Sequence, residues 1–135
     1  MTQELVETFL REVSGWAQSR ADILAVGLVG SQARGTAGPH SDVDLVILAC
    51  DLQFYLKDTA WAALFGVLER QRAEDYGRVQ SLRVWYRGGL EVEFGWADAG
   101  WAALPMDPGT RRVVADGLRV LWERQPLLSR LLTAD

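Results

Sequence analysis

The sequence predicts an α+β (mixed α/β) domain in which a small mixed β-sheet is flanked by helices. Three observations support this fold class: an amphipathic pattern opens the chain, two short apolar segments follow it, and a later segment alternates around a Gly-Gly pair. The length of 135 residues fits a single domain over residues 1–135, and 49% hydrophobic residues suffice for a buried core.

The first half of the chain is expected to contain one helix and two strands. Apolar residues at spacings of three and four predict a helix over residues 3–20. The apolar segments ILAVGLVG and DVDLVILA predict strands over residues 23–30 and 42–49. Between the two strands, the composition of residues 35–41 is typical of a loop.

The second half is expected to contain a helix, a hairpin and a helical tail. Asp58 can cap a helix over residues 58–73, whose apolar residues share one face. Residues 110–122 predict a short helix followed by extended residues, and a last small helix begins within residues 125–132.

The hairpin is predicted over residues 78–97, with the Gly-Gly pair at 88–89 as a two-residue turn. A turn of that length pairs Val84 with Glu93. By alternation, Glu91 and Glu93 then lie on one side of the strand.

Charge and composition exclude several classes of function. A net charge of −4 argues against a protein that binds nucleic acid through its overall field, although local donors or a metal ion can still hold a nucleotide. The only cysteine, Cys50, permits neither an intrachain disulfide nor a cysteine-based metal cluster. The sequence contains no signal core and no apolar run near the ~18 residues of a membrane helix, so we expect a cytoplasmic protein without a membrane segment.

Asp42 and Asp44 stand at the start of the second predicted strand. Side chains two residues apart on a strand point to the same side, with roots ~6.5 Å apart. Two such carboxylates repel each other, and a divalent cation such as Mg²⁺, which prefers oxygen ligands, relieves that repulsion. The Asp-x-Asp pattern alone is more often the solvated start of a strand, so the metal hypothesis depends on its neighbours.

Gly30 ends the first predicted strand and Ser31 follows it. This pair is one of the features that support the metal hypothesis. A glycine there allows a phosphate to approach closely, and the serine hydroxyl and backbone N–H groups can donate to it. A Gly-Ser pair also occurs in ordinary capped turns that bind nothing. The segment matches neither the P-loop motif nor the glycine motif of dinucleotide-binding proteins. With Arg34 for nearby positive charge and Ser41 beside the aspartates, these four residues are the predicted nucleotide-binding set.

A third carboxylate is expected from the hairpin. Glu93 lies between two apolar residues, where an unpaired acid is costly. The alternative interpretation is that Glu91 and Glu93 simply lie on a solvent-facing strand surface and have no role in a site. We therefore predict Asp42, Asp44 and Glu93 as catalytic residues and metal ligands, with Glu91 in reserve. Three other residues invite attention. One of Trp96 and Trp101, which flank the loop after Glu93, is expected to contact the base or acceptor, and His40, the only histidine, is expected to be an ordinary loop residue.

The segment GSQARGTAGPHSDVDLVIL resembles the signature of the polymerase-β-type nucleotidyltransferase superfamily, in which Gly-Ser, an Asp-x-Asp pair and a later strand acid follow one another. GLEVEFGWA resembles the corresponding segment of small bacterial nucleotidyltransferase-domain proteins related to aminoglycoside nucleotidyltransferases. The resemblance covers residues 22–100 and implies the nucleotidyltransferase fold, with Ser31 on the triphosphate. Because many relatives have aspartate at the third acid, Glu93 is either a metal ligand with a longer arm or a base toward the acceptor.

The resemblance implies a transferase that moves an NMP group, most readily AMP from ATP, to a hydroxyl acceptor, using two Mg²⁺ ions or Mn²⁺. Two alternatives stay open. One is an antitoxin-type minimal nucleotidyltransferase that binds or modifies a helical partner protein, and the other is a non-catalytic nucleotide-binding regulator. Drug-modifying relatives use an additional helical domain to form the acceptor pocket, so a homodimer or a helical partner is expected to complete it here. The acceptor itself is left open.

Overall fold

The structure is a computed structural model and describes residues 2–38 and 41–134. Its helices and strands are, in chain order, α1 (Gln3–Gln18), β1 (Ile23–Val29), α2 (Gly30–Arg34), β2 (Val43–Ala49), α3 (Leu52–Lys57), β3 (Leu68–Tyr76), β4 (Val79–Tyr86), β5 (Glu91–Ala97), α4 (Pro108–Asp116), β6 (Leu118–Glu123) and α5 (Leu128–Thr133). Two 3₁₀ segments lie at Ala60–Phe65 and Ala99–Ala102. None of the helices in the described ranges combines the length and apolar character needed to cross a bilayer.

The six strands form one mixed sheet in the order β3-β4-β5-β2-β1-β6. Neighbouring strands are antiparallel except for the central pair, β2 and β5, which runs parallel. Both central strands are covered on both faces, which explains why their sequences read as apolar runs. The predicted α+β fold, a small mixed sheet flanked by helices, is confirmed.

One face of the sheet packs against α1, α3 and the segment Ala60–Phe65 through an aromatic core. Phe94 on β5 meets Trp61 edge-on at 4.8 Å between ring centroids, and Trp96 stacks on Tyr55 at 4.3 Å. Helix α1 contributes its apolar stripe, as the spacing of its residues predicts, and Thr2 caps it by accepting a hydrogen bond from the Leu5 N–H at 3.2 Å.

The opposite face carries a smaller core beneath α4, α5 and the segment Ala99–Ala102. Since side chains alternate along a strand, Leu45 and Ile47 of β2 belong to the aromatic face, whereas Val46 belongs to the smaller core. Asp44, two residues before Val46, therefore lies on the face with the smaller core.

The prediction of a helix over residues 58–73 is wrong. The segment Ala60–Phe65 is a 3₁₀ turn, and β3 begins at Leu68 and pairs with β4 along its whole length. The residues of β3 favour helix locally, but the hydrogen bonds of the ladder with β4 override that preference. As the first strand in the sheet order, β3 is an edge strand, and its charged, mostly exposed side chains are typical of an edge protected against further pairing.

The hairpin of β4 and β5 is confirmed, but its predicted register is wrong by one residue. The Tyr86 N–H donates to the Leu90 carbonyl at 2.8 Å, so the turn contains three residues, 87–89, rather than two. As a result, Arg83 rather than Val84 lies opposite Glu93.

The carboxyl-terminal tail matches its predicted order of helix, extended segment and helix. The carboxylate of Glu123, at the end of β6, accepts hydrogen bonds from the N–H groups of Leu127, Leu128 and Ser129 at 3.0, 2.9 and 3.2 Å. Burial opposes ionisation of Glu123, but these donors lower its pKa below the usual value. The acid thus caps α5 and fixes the tail against the sheet.

Candidate active site

Three carboxylates converge at one end of the two central strands. Asp42 immediately precedes β2, Asp44 lies within it, and Glu93 lies on β5. The parallel pairing of β2 with β5 places Asp44 directly beside Glu93. One oxygen of each of the three side chains lies within 4.8 Å of the other two, and all three residues are half-buried. The structure therefore brings together the three residues that the sequence suggests as metal ligands.

The close approach of these acids is electrostatically unfavourable without a cation. Burial, and then the neighbouring charges of Asp42 and Glu93, raise the pKa of Asp44 to about 7. Burial also raises the pKa of Glu93, against the opposing effect of Arg83. Carboxylate oxygens gathered this closely are the ligand type that a hard divalent cation such as Mg²⁺ or Mn²⁺ prefers.

Arg83, on β4, is the cation that the structure places among these acids. Its Nε donates to Glu74 at 3.1 Å, its Nη1 to Asp42 at 2.9 Å and to Glu91 at 2.7 Å, and its Nη2 to Glu93. The pKa of Arg83 rises further above its usual value, since these hydrogen bonds outweigh burial. Glu91, the reserve ligand, lies outside the three converging carboxylates and pairs with this guanidinium instead.

The sequence pattern did not identify Arg83 as the partner of Glu93, because the predicted two-residue turn places Val84 opposite Glu93 instead. The pair Gly88 and Gly89, both at positive φ, is compatible with a turn of either length, so the sequence contained no signal that distinguished them. A three-residue turn moves the register by one position and identifies Arg83 as the cross-strand partner of Glu93.

Gly30 begins α2 directly after β1 and touches the acidic cluster. Its φ is +74°, and a Cβ at this position would lie 2.7 Å from Oδ2 of Asp44, so glycine is required on both counts. Ser31 follows in the first turn of α2 and is half-buried. The predicted phosphate-binding pair therefore lies against the candidate metal ligands.

Arg34 and Ser41 are held by other contacts. Nη1 of Arg34 lies 2.7 Å from Oδ2 of Asp116, which ties α2 to α4. The Ser41 hydroxyl accepts a hydrogen bond from the Gly38 N–H at 2.9 Å within the loop before β2. Their roles toward a nucleotide stay predictions. His40 lies outside the described residues.

A cavity of about 340 Å³ opens beside Asp44 and Glu93 on the same face of the sheet. Its wall is largely apolar and includes Trp101, whereas Trp96 is buried on the aromatic face and points away from it. Among the described residues, those of the wall that carry a charge are Asp44, Glu93 and Asp116, all acidic. The cavity offers space next to the carboxylates for the neutral or positively charged part of a substrate.

A family model described as the nucleotidyltransferase domain matches residues 9–86, a segment that includes the Gly-Ser pair and both aspartates. The chain belongs to this nucleotidyltransferase domain family. The predicted resemblance to nucleotidyltransferases is confirmed at the level of this domain family. No curated protein matches the chain significantly.

Solved structures of similar fold include the following two proteins. An aminoglycoside 6-adenyltransferase from Bacillus subtilis aligns with a TM-score of 0.58 and 14% identity, over 76% of this chain and 37% of that chain. Cid1 in complex with the UTP analog UMPNPP aligns with a TM-score of 0.51 and 15% identity, over 83% of this chain and 33% of that chain. The chain thus spans about a third of the length of either protein.

Proposed function

We propose that the protein is a divalent-metal-dependent nucleotidyltransferase that transfers an NMP group, most readily AMP from ATP, to a hydroxyl acceptor. The observation that carries the proposal is the convergence of Asp42, Asp44 and Glu93 within 4.8 Å, beside Gly30 at the start of α2. Membership of the nucleotidyltransferase domain family supports it.

Asp42, Asp44 and Glu93 are the residues that would hold the metal, with Mg²⁺ as the expected ion and Mn²⁺ as a substitute. When bound, two such ions would activate the acceptor hydroxyl and offset negative charge on the departing pyrophosphate. The carboxylates are fixed on two hydrogen-bonded strands, so their positions are set before a substrate arrives. Glu93 lines the cavity and is the proposed acceptor of the hydroxyl proton.

The phosphates of the nucleotide would lie along the start of α2, where the Ser31 hydroxyl and the backbone N–H groups donate to them. The acceptor oxygen forms a bond with the α-phosphorus, and the bond from that phosphorus to the bridging oxygen breaks. Pyrophosphate leaves with the electron pair, and the hydroxyl proton passes to Glu93 or to solvent. The contribution of the chain is to position the reacting groups and stabilise their charge.

The cavity supports an acceptor that is neutral or positively charged at its reacting end, since its charged wall residues are acidic. By its name, the adenyltransferase of similar fold acts on an aminoglycoside, which is a hydroxylated cation. Aminoglycosides are therefore the first acceptors to test.

A second candidate function, the antitoxin-type transferase with a helical partner, is supported by a different feature. Several large apolar side chains on the aromatic side of the molecule are exposed, among them Leu5, Phe54 and Leu64 at 57%, 55% and 61%. Such residues are compatible with a partner protein that covers α1 and the neighbouring segments.

The proposal is tested with the purified chain, ATP labelled at the α-phosphate, Mg²⁺ and a panel of hydroxyl acceptors that includes aminoglycosides. We expect labelled product and pyrophosphate with at least one acceptor. Asp44→Asn should reduce turnover by about a hundredfold or more, the scale found when one preorganised stabilising group is removed.

Asp51→Asn is the matched control, because Asp51 is an exposed aspartate at the opposite end of β2. It should retain wild-type turnover. Full activity in Asp44→Asn would refute the metal assignment, and label on a co-purified helical protein would favour the antitoxin type.

A further inference from the structure

One guanidinium group occupies the space between the candidate metal ligands. Four hydrogen bonds from Arg83 engage four of the five N–H donors that an arginine possesses. Its side chain is only 15% exposed. A buried arginine with four carboxylate partners is held far more firmly than an arginine in a surface ion pair.

The four partners of Arg83 divide into two pairs. Asp42 and Glu93 belong to the three converging carboxylates, whereas Glu74 on β3 and Glu91 on β5 lie outside that trio. Arg83 can therefore keep two acidic partners if the other two turn to a different cation.

A divalent ion and Arg83 compete for the same two carboxylates. Oδ2 of Asp42 accepts from Nη1 at 2.9 Å, and Oε2 of Glu93 accepts from Nη2. A metal ligated by these acids would also lie within a few ångströms of a group that carries a full positive charge. Both effects, occupied lone pairs and charge repulsion, disfavour a metal as long as the guanidinium stays in place.

We propose that Arg83 is a positioning residue that holds Asp42 and Glu93 as an internal counter-cation and withdraws to Glu74 and Glu91 when the metal binds. The inference rests on the proposed function, because the metal is that of the proposed transferase. It makes metal uptake depend on the nucleotide, whose phosphates bring ligands and negative charge that offset the displacement of Arg83. Metal without nucleotide is bound weakly.

The test is Mn²⁺ binding to the full chain without nucleotide, followed by the electron paramagnetic resonance of free Mn²⁺. We expect Arg83→Gln to bind Mn²⁺ about tenfold more tightly than the wild type, because a competing unit charge is removed at close range. Arg83→Lys keeps the charge but not the forked donors, so its affinity should fall between the two.

Arg78→Gln is the matched control. Arg78 directly precedes β4, pairs with Asp107 at 2.8 Å, and its loss changes the net charge of the protein equally. It should leave Mn²⁺ affinity at the wild-type value. In the presence of a non-hydrolysable ATP analogue, the difference between Arg83→Gln and the wild type should shrink.

Equal or weaker Mn²⁺ binding by Arg83→Gln would overturn the inference, since it would mean that Arg83 only supports the ligands. If Arg83→Gln does not fold, Arg83→Lys is used in its place. The inference is then overturned if Arg83→Lys binds Mn²⁺ no more tightly than the wild type. Failure of the proposed function looks different: even with the ATP analogue present, the wild type would then bind no Mn²⁺ that Asp44→Asn removes, and the inference would fall with it.

Discussion

On one face of β2 and β5, Leu45, Ile47 and Phe94 are buried among aromatic rings, whereas on the other face Asp44 and Glu93 line a cavity. Residues adjacent in sequence thus belong to opposite environments. Apolar burial on the first face stabilises the fold, whereas the second face carries repulsion between acids, which protonation of Asp44 or a nearby cation reduces. The comparison indicates that the aromatic face contributes mainly to folding stability, whereas the candidate chemistry lies at the end of the opposite face, beside its smaller core.

The largest difference between the two faces is expected when neighbouring residues of β5 are mutated and the free energy of unfolding is compared. Phe94 is fully buried and contacts Phe9 and Trp61. Phe94→Ala should lower the free energy of unfolding by about 3–5 kcal/mol, measured in urea. Glu93→Gln, one residue away, should leave it unchanged or raise it in the absence of metal. A comparable loss in both variants would mean that the acidic face also supports the fold.

A smaller effect is expected from ligands, which should act on the acidic face alone. Mg²⁺ with ATP at about 100 times the dissociation constant should stabilise the wild type by about 2.7 kcal/mol, seen as a rise in Tm. Asp44→Asn should lose most of this rise. An equal rise in the Tm of that variant would mean that the nucleotide binds at a different site.

The smallest expected effect concerns pH. The pKa of Asp44 is raised from 3.8 to about 7 in the folded chain, first by burial and then by Asp42 and Glu93. The folded state therefore binds the proton more tightly than the unfolded state, and the free energy of unfolding falls as pH rises from about 4 to about 7.

Asp44→Asn lacks this carboxyl group and should show a flatter profile. Without metal at pH 8, it should exceed the wild type by on the order of 1 kcal/mol. Parallel profiles for the two proteins, measured by urea unfolding across this pH range, would contradict the repulsion that defines the acidic face.

Much of the fold was predictable because local patterns determine it. The helical spacing before Gln18, the apolar runs of β1 and β2, and the alternation of Glu91 and Glu93 each depend on residues close together in sequence. The same local signals placed Asp42 and Asp44 on one side of a strand.

The remaining features depend on tertiary contacts that local patterns do not report. Leu68–Tyr76 contains charged residues that favour helix, and only its partner β4 makes it a strand. Arg83 was missed because one additional residue in the turn changes which side chains face each other. The number of residues in a Gly-Gly turn is not determined by the pair itself.

The parallel pairing of β2 with β5 has a consequence for how the protein matures. Asp44 and Glu93 are distant in the chain and become neighbours only when these two strands close the middle of the sheet. Pairing between distant strands is a slow, late event in folding. A nascent or partly folded chain consequently lacks the convergence of these carboxylates, so the proposed metal site is complete only when the sheet is.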